Sequence, residues 1–575
     1  MSTKQVTGVG QIGWISREDQ LPADLPFNAW NVARNVRFKN RDVEAAKGWE
    51  SVGSVPSTTG ATLDFVAGGL STWWLHYSDE AIYSVRSGYA LTDVTGVSGP
   101  YSSGEWSITN FQGIPIATNN EEVPQAQFVP AGIPTETTDF IDLTNWPAAD
   151  TCRFIATLGN FLVALDLTET GTRYKTKIRW SSPAAPGDLP ASWDVTDPTT
   201  LAGDVVVGTS RGGFTAVAPM RDDLIIYQES GVGRLSYVGG NAVLRYRVIT
   251  DKWGALGQHC VAPLSTGLHL VVTQNDIVLF DGNTEKSVAE GRVKRALFQL
   301  VSPVIDNPNG FRMFTYEKMS EVWFGIPNSD GDIQEVYIYN YEEDTWAGPR
   351  QTPPLRDFRY LPILDEASSL NLQLSWEQAA LTPQLGTWSD WNGIPWGATE
   401  IVAVVGDFGF FGAGPDGDLY RLDYGYEHQG VQPYESDLIR QDLALGDDTN
   451  SQLLVAMYPR ATTAALSETL TLAYWDEAEL DATITWDATD WASRTWDEFF
   501  TGETPLEIWM GSQDAPGIAP DWREPRAFVY GRRKVATKAR GVRHAVRFRS
   551  AKTAWRLSGY ALEFFDSGRR GKTRR

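Results

Sequence analysis

Between residues 61 and 430 the sequence keeps returning to one figure: an apolar run of strand length, a tight polar turn, and a second run ending in a small or acidic residue. STWWLHYSDEAIYSV (71–85) and RFIATLGNFLVALDL (153–167) show it first. FTAVAPMRDDLIIYQESGVGRLSYVG (214–239), LHLVVTQNDIVLFDGN (268–283), MFTYEKMSEVWFGIP (313–327) and IVAVVGDFGFFGAGPDGDLYRLD (401–423) repeat it. Explicit turn chemistry separates the runs, as in Leu158-Gly159-Asn160, Arg221-Asp222-Asp223, Gln274-Asn275-Asp276 and Pro415-Asp416-Gly417. The starts lie roughly 50–90 residues apart, room for three or four short strands each. A unit of that size cannot bury its own apolar face. Degenerate repeats of this kind therefore predict a β-propeller, whose radial closure also removes exposed sheet edges. A pair of stacked β-sandwiches would produce similar hairpins, and the blade count stays open.

The rest of the chain breaks this rhythm. No long stretch carries the 3.6-residue apolar spacing of a helix, so the expected class is all-β. At 575 residues the chain is too long for one core, and two or three domains are expected. Residues 1–60 read as an extended arm followed by a strand pair that packs with the C-terminal domain, with Lys39-Asn40-Arg41-Asp42 as a tight turn. Residues 61–430 form the propeller-like domain. Within it, 353–398 reads as a long excursion, with Pro353-Pro354, Pro362, Pro383 and the cluster Trp388, Trp391 and Trp396. Residues 431–575 read as a further β-rich platform domain, from the alternation in QLLVAMYP (452–459), SETLTLAYW (467–475) and AWRLSGYALEFF (554–565).

Residues able to carry chemistry are scattered. Cys152 and Cys260 form neither a disulfide framework nor a Cys-x-x-Cys metal spacing, and read as buried thiols of a reducing compartment. His76, His259, His269, His428 and His544 show no metal-binding spacing. His259 adjoins Cys260, but neighbours on a strand would face opposite ways and could not act as a nucleophile–base pair. Asp330-Gly331-Asp332 and Asp416-Gly417-Asp418 resemble fragments of calcium loops yet lack the remaining oxygen ligands, so turns are the better reading. Gly8-Val9-Gly10-Gln11-Ile12-Gly13 fits G-x-G-x-x-G but follows no strand and opens no helix; a flexible arm is expected. Trp-Asp recurs at 475–476, 486–487 and 496–497, too closely for propeller blades, and suits hairpins with aromatic cross-strand pairs better than a sugar platform. No sialidase-type Asp box (S-x-D-x-G-x-x-W) is present, and no carboxylate pair stands out for glycoside chemistry. Neither a secretory signal nor an apolar run long enough to span a membrane is seen.

Charge divides the chain sharply. From Arg526 onward there are 16 basic and 2 acidic residues, against 33 basic and 70 acidic before it. The acidic body should repel nucleic acid, whereas the basic end could grip phosphates or an acidic protein partner. The candidates are Arg532, Arg533, Lys534, Lys538, Arg540, Arg543, Arg547 and Arg549, continued by Lys552 and Arg556 and interleaved with Phe548 and Trp555. The closing GRRGKTRR (568–575) reads as a disordered tail.

Three stretches resemble one family. LPADLPFNAWNVARNVRFKNRDVEAAKGW (21–49) is similar to the opening of the tail nozzle (tail tubular B-like) proteins of short-tailed bacteriophages, through Leu25-Pro26, Trp30, Ala33, Asn35-Val36-Arg37-Phe38 and Gly48. Ile178-Arg179-Trp180-Ser181 with Pro183 and Trp193, and the closing GYALEFFDSGRR (559–570), resemble further parts of such proteins. The resemblance implies a structural protein with no catalytic residues and no cofactor. It implies a homo-hexameric ring in the virion tail, docked below the adaptor (head-to-tail connector) and assembled in the host bacterial cytoplasm. Tail fibres or a tail needle are further partners it admits. Genomic double-stranded DNA would pass through the ring without sequence-specific binding, the propeller lying outside and other β domains forming the channel and gate. An acidic wall would repel phosphate and avoid the counterion-release gain that drives tight binding. Glu477, Glu479, Asp481, Asp487, Asp490 and Asp497 are the candidates for lumen or gate carboxylates. The competing classes are a carbohydrate-binding or carbohydrate-degrading propeller and a receptor-binding tail fibre subunit.

Overall fold

The computed structural model describes residues 2–56, 61–68, 71–130, 134–306, 308–364, 408–425, 427–428, 432–446, 450–463, 506–528, 534–551 and 554–566. Its repeating unit is a four-stranded antiparallel sheet in which each strand pairs with the next along the chain. The first runs Ala61–Gly68, Ser71–Ser78, Ile82–Arg86 and Ala90–Asp93, and the second Ser107–Phe111, Ile114–Thr118, Gln125–Gln127 and Phe140–Asp142. Sheets three to five span Thr151–Val206, Phe214–Thr250 and Val261–Ser287. The sixth begins at Arg312–Tyr316 and ends with Thr345–Leu355. The seventh takes Asp357–Pro362, Phe408–Ala413 and Asp418–Leu422 and is completed by Trp49–Ser54, from the other end of the domain.

Among the described residues these sheets form the seven blades of a propeller. From blade two to blade seven, and from seven back to one, the first strands lie side by side. Blades one and two meet through Trp73, Tyr77, Trp106 and Phe140. Comparable apolar seams join the others, such as Phe154, Val163, Phe214 and Ile226 between three and four, or Leu63, Trp74, Phe411 and Leu419 between seven and one. No blade buries both faces alone, so ring closure is needed to bury the apolar face of each. Closure rests on Trp49–Ser54, where Val55 N–H also donates to the Gly417 carbonyl at 2.6 Å. Gly417 has φ +87°, and a Cβ there would come within 1.9 Å of the Val55 oxygen. Only glycine fits.

The quoted sequence figures, as far as they lie within the described residues, fall on consecutive strands of six different blades; 401–407 of the last lie outside them. The two-residue turn Asn40-Arg41 has both residues left-handed (φ 55° and 63°), as a type I′ hairpin needs. The propeller begins at Trp49, not at residue 61, because the closing strand comes from the segment assigned to the arm. Pro353 and Pro354 lie inside the last strand of blade six, and Pro362 ends the first strand of blade seven. The expected excursion therefore does not start at 353. Its remainder, with all three tryptophans, falls outside the described residues.

Both chain ends build the platform. In one sheet Trp555–Asp566 has Gln452–Thr463 on one side, which in turn pairs with Val535–Gly541. Its other edge is shared by Ser2–Thr7, in register Ser2↔Phe564 to Thr7↔Gly559, and by the hairpin Val36–Lys39/Asp42–Ala45. In the second sheet the outer strand of blade six continues through Val32–Arg34, Ser436–Leu443, Arg543–Ser550 and Leu506–Gln513. Propeller and platform are thus joined by unbroken β-pairing at blade six. The glycine-rich opening is no flexible arm: Gly10 N–H donates to the Arg41 carbonyl at 2.8 Å, and a Cβ on Gly10 would sit 2.1 Å from the Asp42 oxygen.

Candidate functional site

The junction between propeller and platform holds a set of four buried charges. Arg37, on the N-terminal hairpin, reaches into the propeller with its Nε 2.6 Å from Glu321 on blade six. Its terminal nitrogen donates to Glu321 at 3.0 Å and to Asp423, just past blade seven, at 3.0 Å. Arg350 completes the set at 3.8 Å from Glu321 and 3.7 Å from Asp423, with its guanidinium 4.7 Å over the Trp323 ring. All four side chains are at most 3% exposed. Burial works against ionising Glu321, but the Arg37 and Arg350 charges outweigh it and hold the carboxyl at about 2. Arg37 is correspondingly raised above its ordinary value: burial opposes its charge, and Asp423 and Glu321 overcome that. Two cations and two anions compensate each other across three structural units, an arrangement that fixes relative position.

The neighbouring residues act in the same way. The Asn35 side-chain amide donates to Gln351 at 3.2 Å and to the Glu435 carbonyl at 2.6 Å. Trp30 Nε1 donates to the Val9 carbonyl at 2.6 Å, its ring lying 6.1 Å from Phe548 and 6.3 Å from Tyr560. Gly48 N–H donates to the Gly425 carbonyl at 2.8 Å. Residues 30–48 are therefore the hinge pin of the molecule.

The basic candidates split into two sets. Arg547 makes a two-pronged contact with Asp437 at 2.7 and 2.8 Å, and one terminal nitrogen of Arg549 lies 2.8 Å from both Glu435 oxygens. Lys534 lies 3.1 Å from Glu563, and Arg543 donates to the Asp442 carbonyl at 3.2 Å. These four are engaged within the platform. Lys538 and Arg540 point outward from Val535–Gly541, Arg540 donating to Ser451 Oγ at 3.3 Å. Lys538 lines a groove of about 400 Å³ with Arg523 and Arg526, Glu524 beside them. The outward charge of the platform is thus smaller than the sequence count implies. Arg532 and Arg533 lie outside the described residues. So do the acidic candidates Glu477, Glu479, Asp481, Asp487, Asp490 and Asp497, along with the recurring Trp-Asp pairs.

The remaining candidates resolve individually. His259 and Cys260 do not lie on a strand but on the single 3-10 turn Gln258–Cys260, so the argument from opposite strand faces does not apply to them. Burial pushes the Cys152 and Cys260 thiols up to about 12. Burial lowers His76, His269 and His544 to about 4. His269 is bridged by Tyr227 Oη and the Pro219 carbonyl, both at 2.8 Å. In Asp330-Gly331-Asp332 the turn is held by Asn328, whose side chain accepts the N–H groups of both Asp330 and Asp332 at 2.9 Å. Among the described residues no group of three or more His, Cys, Asp or Glu is placed to hold a metal ion, and no helix is long and apolar enough to cross a membrane.

Neither the family models nor the curated proteins contain a match to this chain. Among solved structures it is similar to YCF48 from Cyanidioschyzon merolae, at 10% identity over 65% of this chain and 98% of that one, with a TM-score of 0.35. It is also similar to the extracellular domain of BT3049 from B. thetaiotaomicron, at 12% identity over 54% of this chain and 37% of that one, with a TM-score of 0.29. The β-propeller architecture itself stands on the strand pairings described above.

Proposed function

We propose that this chain is a structural component of a short bacteriophage tail: a nozzle subunit that assembles as a hexameric ring around the DNA exit channel, below the adaptor. One observation carries the reading. Several of the residues through which 21–49 resembles the nozzle proteins lie where propeller and platform are joined. Asn35, Arg37 and Gly48 each tie to segments far along the chain, and Trp30 packs inside the platform against Phe548 and Tyr560. In the second resembling stretch Arg179 pairs with Asp150 at 3.0 Å and Glu169 at 2.6 Å, and Trp193 packs edge-on against Trp146 at 4.6 Å. A subunit of a pressurised conduit needs rigid coupling between its outer and inner domains, and buried compensated charges supply it.

The charge partition supports the same role. The body before Arg526 is strongly acidic, suited to DNA that slides without sticking. The outward cations Arg526, Lys538 and Arg540 suit an acidic neighbour such as the adaptor. The protein would assemble in the bacterial cytoplasm and reside in the virion tail, with no catalytic step. The test is solution sizing of the purified chain, alone and with adaptor, beside incubation with host-surface polysaccharide. A hexamer that captures adaptor and leaves the polysaccharide intact and unbound is expected. A monomer or trimer that binds or cleaves the polysaccharide would assign the propeller to the carbohydrate class instead.

A further inference from the structure

The propeller encloses an axial cavity of about 890 Å³ lined by the first strands of blades two to seven. That volume falls within the range of small-molecule sites. Most polar groups on its wall are occupied. Thr109 and Thr157 hydroxyls bond each other at 3.0 Å, Thr315 donates to the Pro263 carbonyl at 2.7 Å, and Gln258 donates to the Trp106 carbonyl at 3.1 Å. Two nitrogen-bearing groups stand apart, Arg359 and His259, and the Glu317 carboxylate on the wall likewise has no hydrogen bond among the described residues.

Arg359 and Arg312 share a single carboxylate. Arg312 Nε lies 3.2 Å from one oxygen of Asp357 and Arg359 Nε 3.4 Å from the other. The second oxygen also accepts the Leu63 N–H at 2.8 Å. Asp357 can compensate only one of the two guanidiniums. Arg359 uses its Nε there and rests 5.0 Å over the Phe314 ring, and its two terminal nitrogens have no protein hydrogen bond among the described residues. His259 faces the same space and likewise has no protein hydrogen bond among the described residues. Burial, together with the charges of Arg312, Arg359 and Arg153, keeps its imidazole neutral at pH 7. The nearby carboxylates are Glu317, at the cavity wall, and Glu105, whose charge reaches Arg312. A forked cation and an imidazole N–H thus converge on a cavity with the aromatic walls Phe314, Tyr360 and Phe408.

We propose that the axial cavity of the propeller binds a small organic anion bearing a carboxylate or phosphate group, received by Arg359 and His259. The chemistry is that of a guanidinium fork on an oxyanion, with the aromatic walls covering the organic part. This site is independent of the nozzle reading and would hold equally for a propeller of another role.

The experiment titrates the purified full-length chain at pH 7 with inorganic phosphate and, separately, with citrate, by calorimetry and by NMR of the histidine ring signals. Saturable binding of at least one probe, one per chain, with a shift of the His259 signal, is expected; which probe binds tells phosphate from carboxylate. Arg359→Gln should weaken binding by about tenfold or more, the cost of losing one charge-assisted contact. Arg245→Gln, on the outer strand of blade four, should leave it unchanged. His259→Gln provides the same reading if Arg359→Gln does not fold. No saturation with either probe at millimolar concentration, or equal affinity in Arg359→Gln and the wild type, overturns the proposal.

Discussion

Replacing Glu321 with glutamine removes one of two anions from a site with two buried cations. Its carboxyl is held at about 2 against an ordinary 4.5, by Arg37 and Arg350 acting against burial. At about 1.4 kcal/mol per pH unit this corresponds to roughly 3 kcal/mol of folding free energy. Breaking one partner of a buried ion pair costs about 3–5 kcal/mol, the same order. With a urea slope of about 3 kcal/mol per molar, the unfolding midpoint should fall by about 1 M. The control is Glu335→Gln, whose partner Arg34 lies 3.3 Å away with both side chains more than 40% exposed. That pair is screened by solvent and should contribute under about 0.5 kcal/mol. The pH dependence has a definite sign. The folded-state value lies below the unfolded one, so the stabilisation is complete above pH 4.5 and is lost as pH falls toward 2. The gap between wild type and Glu321→Gln, followed by tryptophan fluorescence, should therefore narrow from about pH 5 to about pH 3. Equal midpoint shifts for Glu321→Gln and Glu335→Gln would refute the claim that this cluster holds the junction.

Three further outcomes follow from particular contacts. Gly417→Ala places a methyl 1.9 Å from the Val55 oxygen at a left-handed position, and should cost about 2 kcal/mol or more. Hydrogen exchange should show Trp49–Ser54 losing protection first, since that strand closes the ring. His76, His269 and His544, each lowered to about 4, take up protons in the unfolded chain near pH 6.5 but not in the folded one. Stability should consequently decline as pH falls from 6.5 toward 4, and urea midpoints across that range should flatten when the three are replaced by glutamine. Trp74→Ala empties the seam between blades seven and one, where the ring lies 4.5 Å from Phe411, and should cost about 3–5 kcal/mol by calorimetry.

What was legible in the sequence was local. Each quoted hairpin carries its apolar runs and turn within about 25 residues, and the described part of each falls on a blade. Blade two escaped because its strands are only five, five, three and three residues long, too short for an alternating run to stand out. The closing strand Trp49–Ser54 escaped because WESVGS is largely polar and its partner lies at 418–422. The N-terminal glycines read as mobile because the contact that needs them, the Asp42 oxygen, comes from a later hairpin. The junction cluster was invisible for the same reason: Arg37 meets Glu321 and Asp423 across 284 and 386 positions. In the axial cavity His259 stood out only as a neighbour of Cys260, whereas its relevant companion, Arg359, comes from another blade. The basic end was legible as charge, but its internal partners Asp437, Glu435 and Glu563 were not, and they engage three of the eight candidate cations.

The central claim is a ring around a DNA channel, and cryo-electron microscopy of the source virion's tail tests it most directly. Six copies of this chain are expected around the tail axis, propellers outward, with the platform toward the channel and against the adaptor. A tail whose axial ring is built from another chain, with this one absent or confined to the fibre tips, would contradict it.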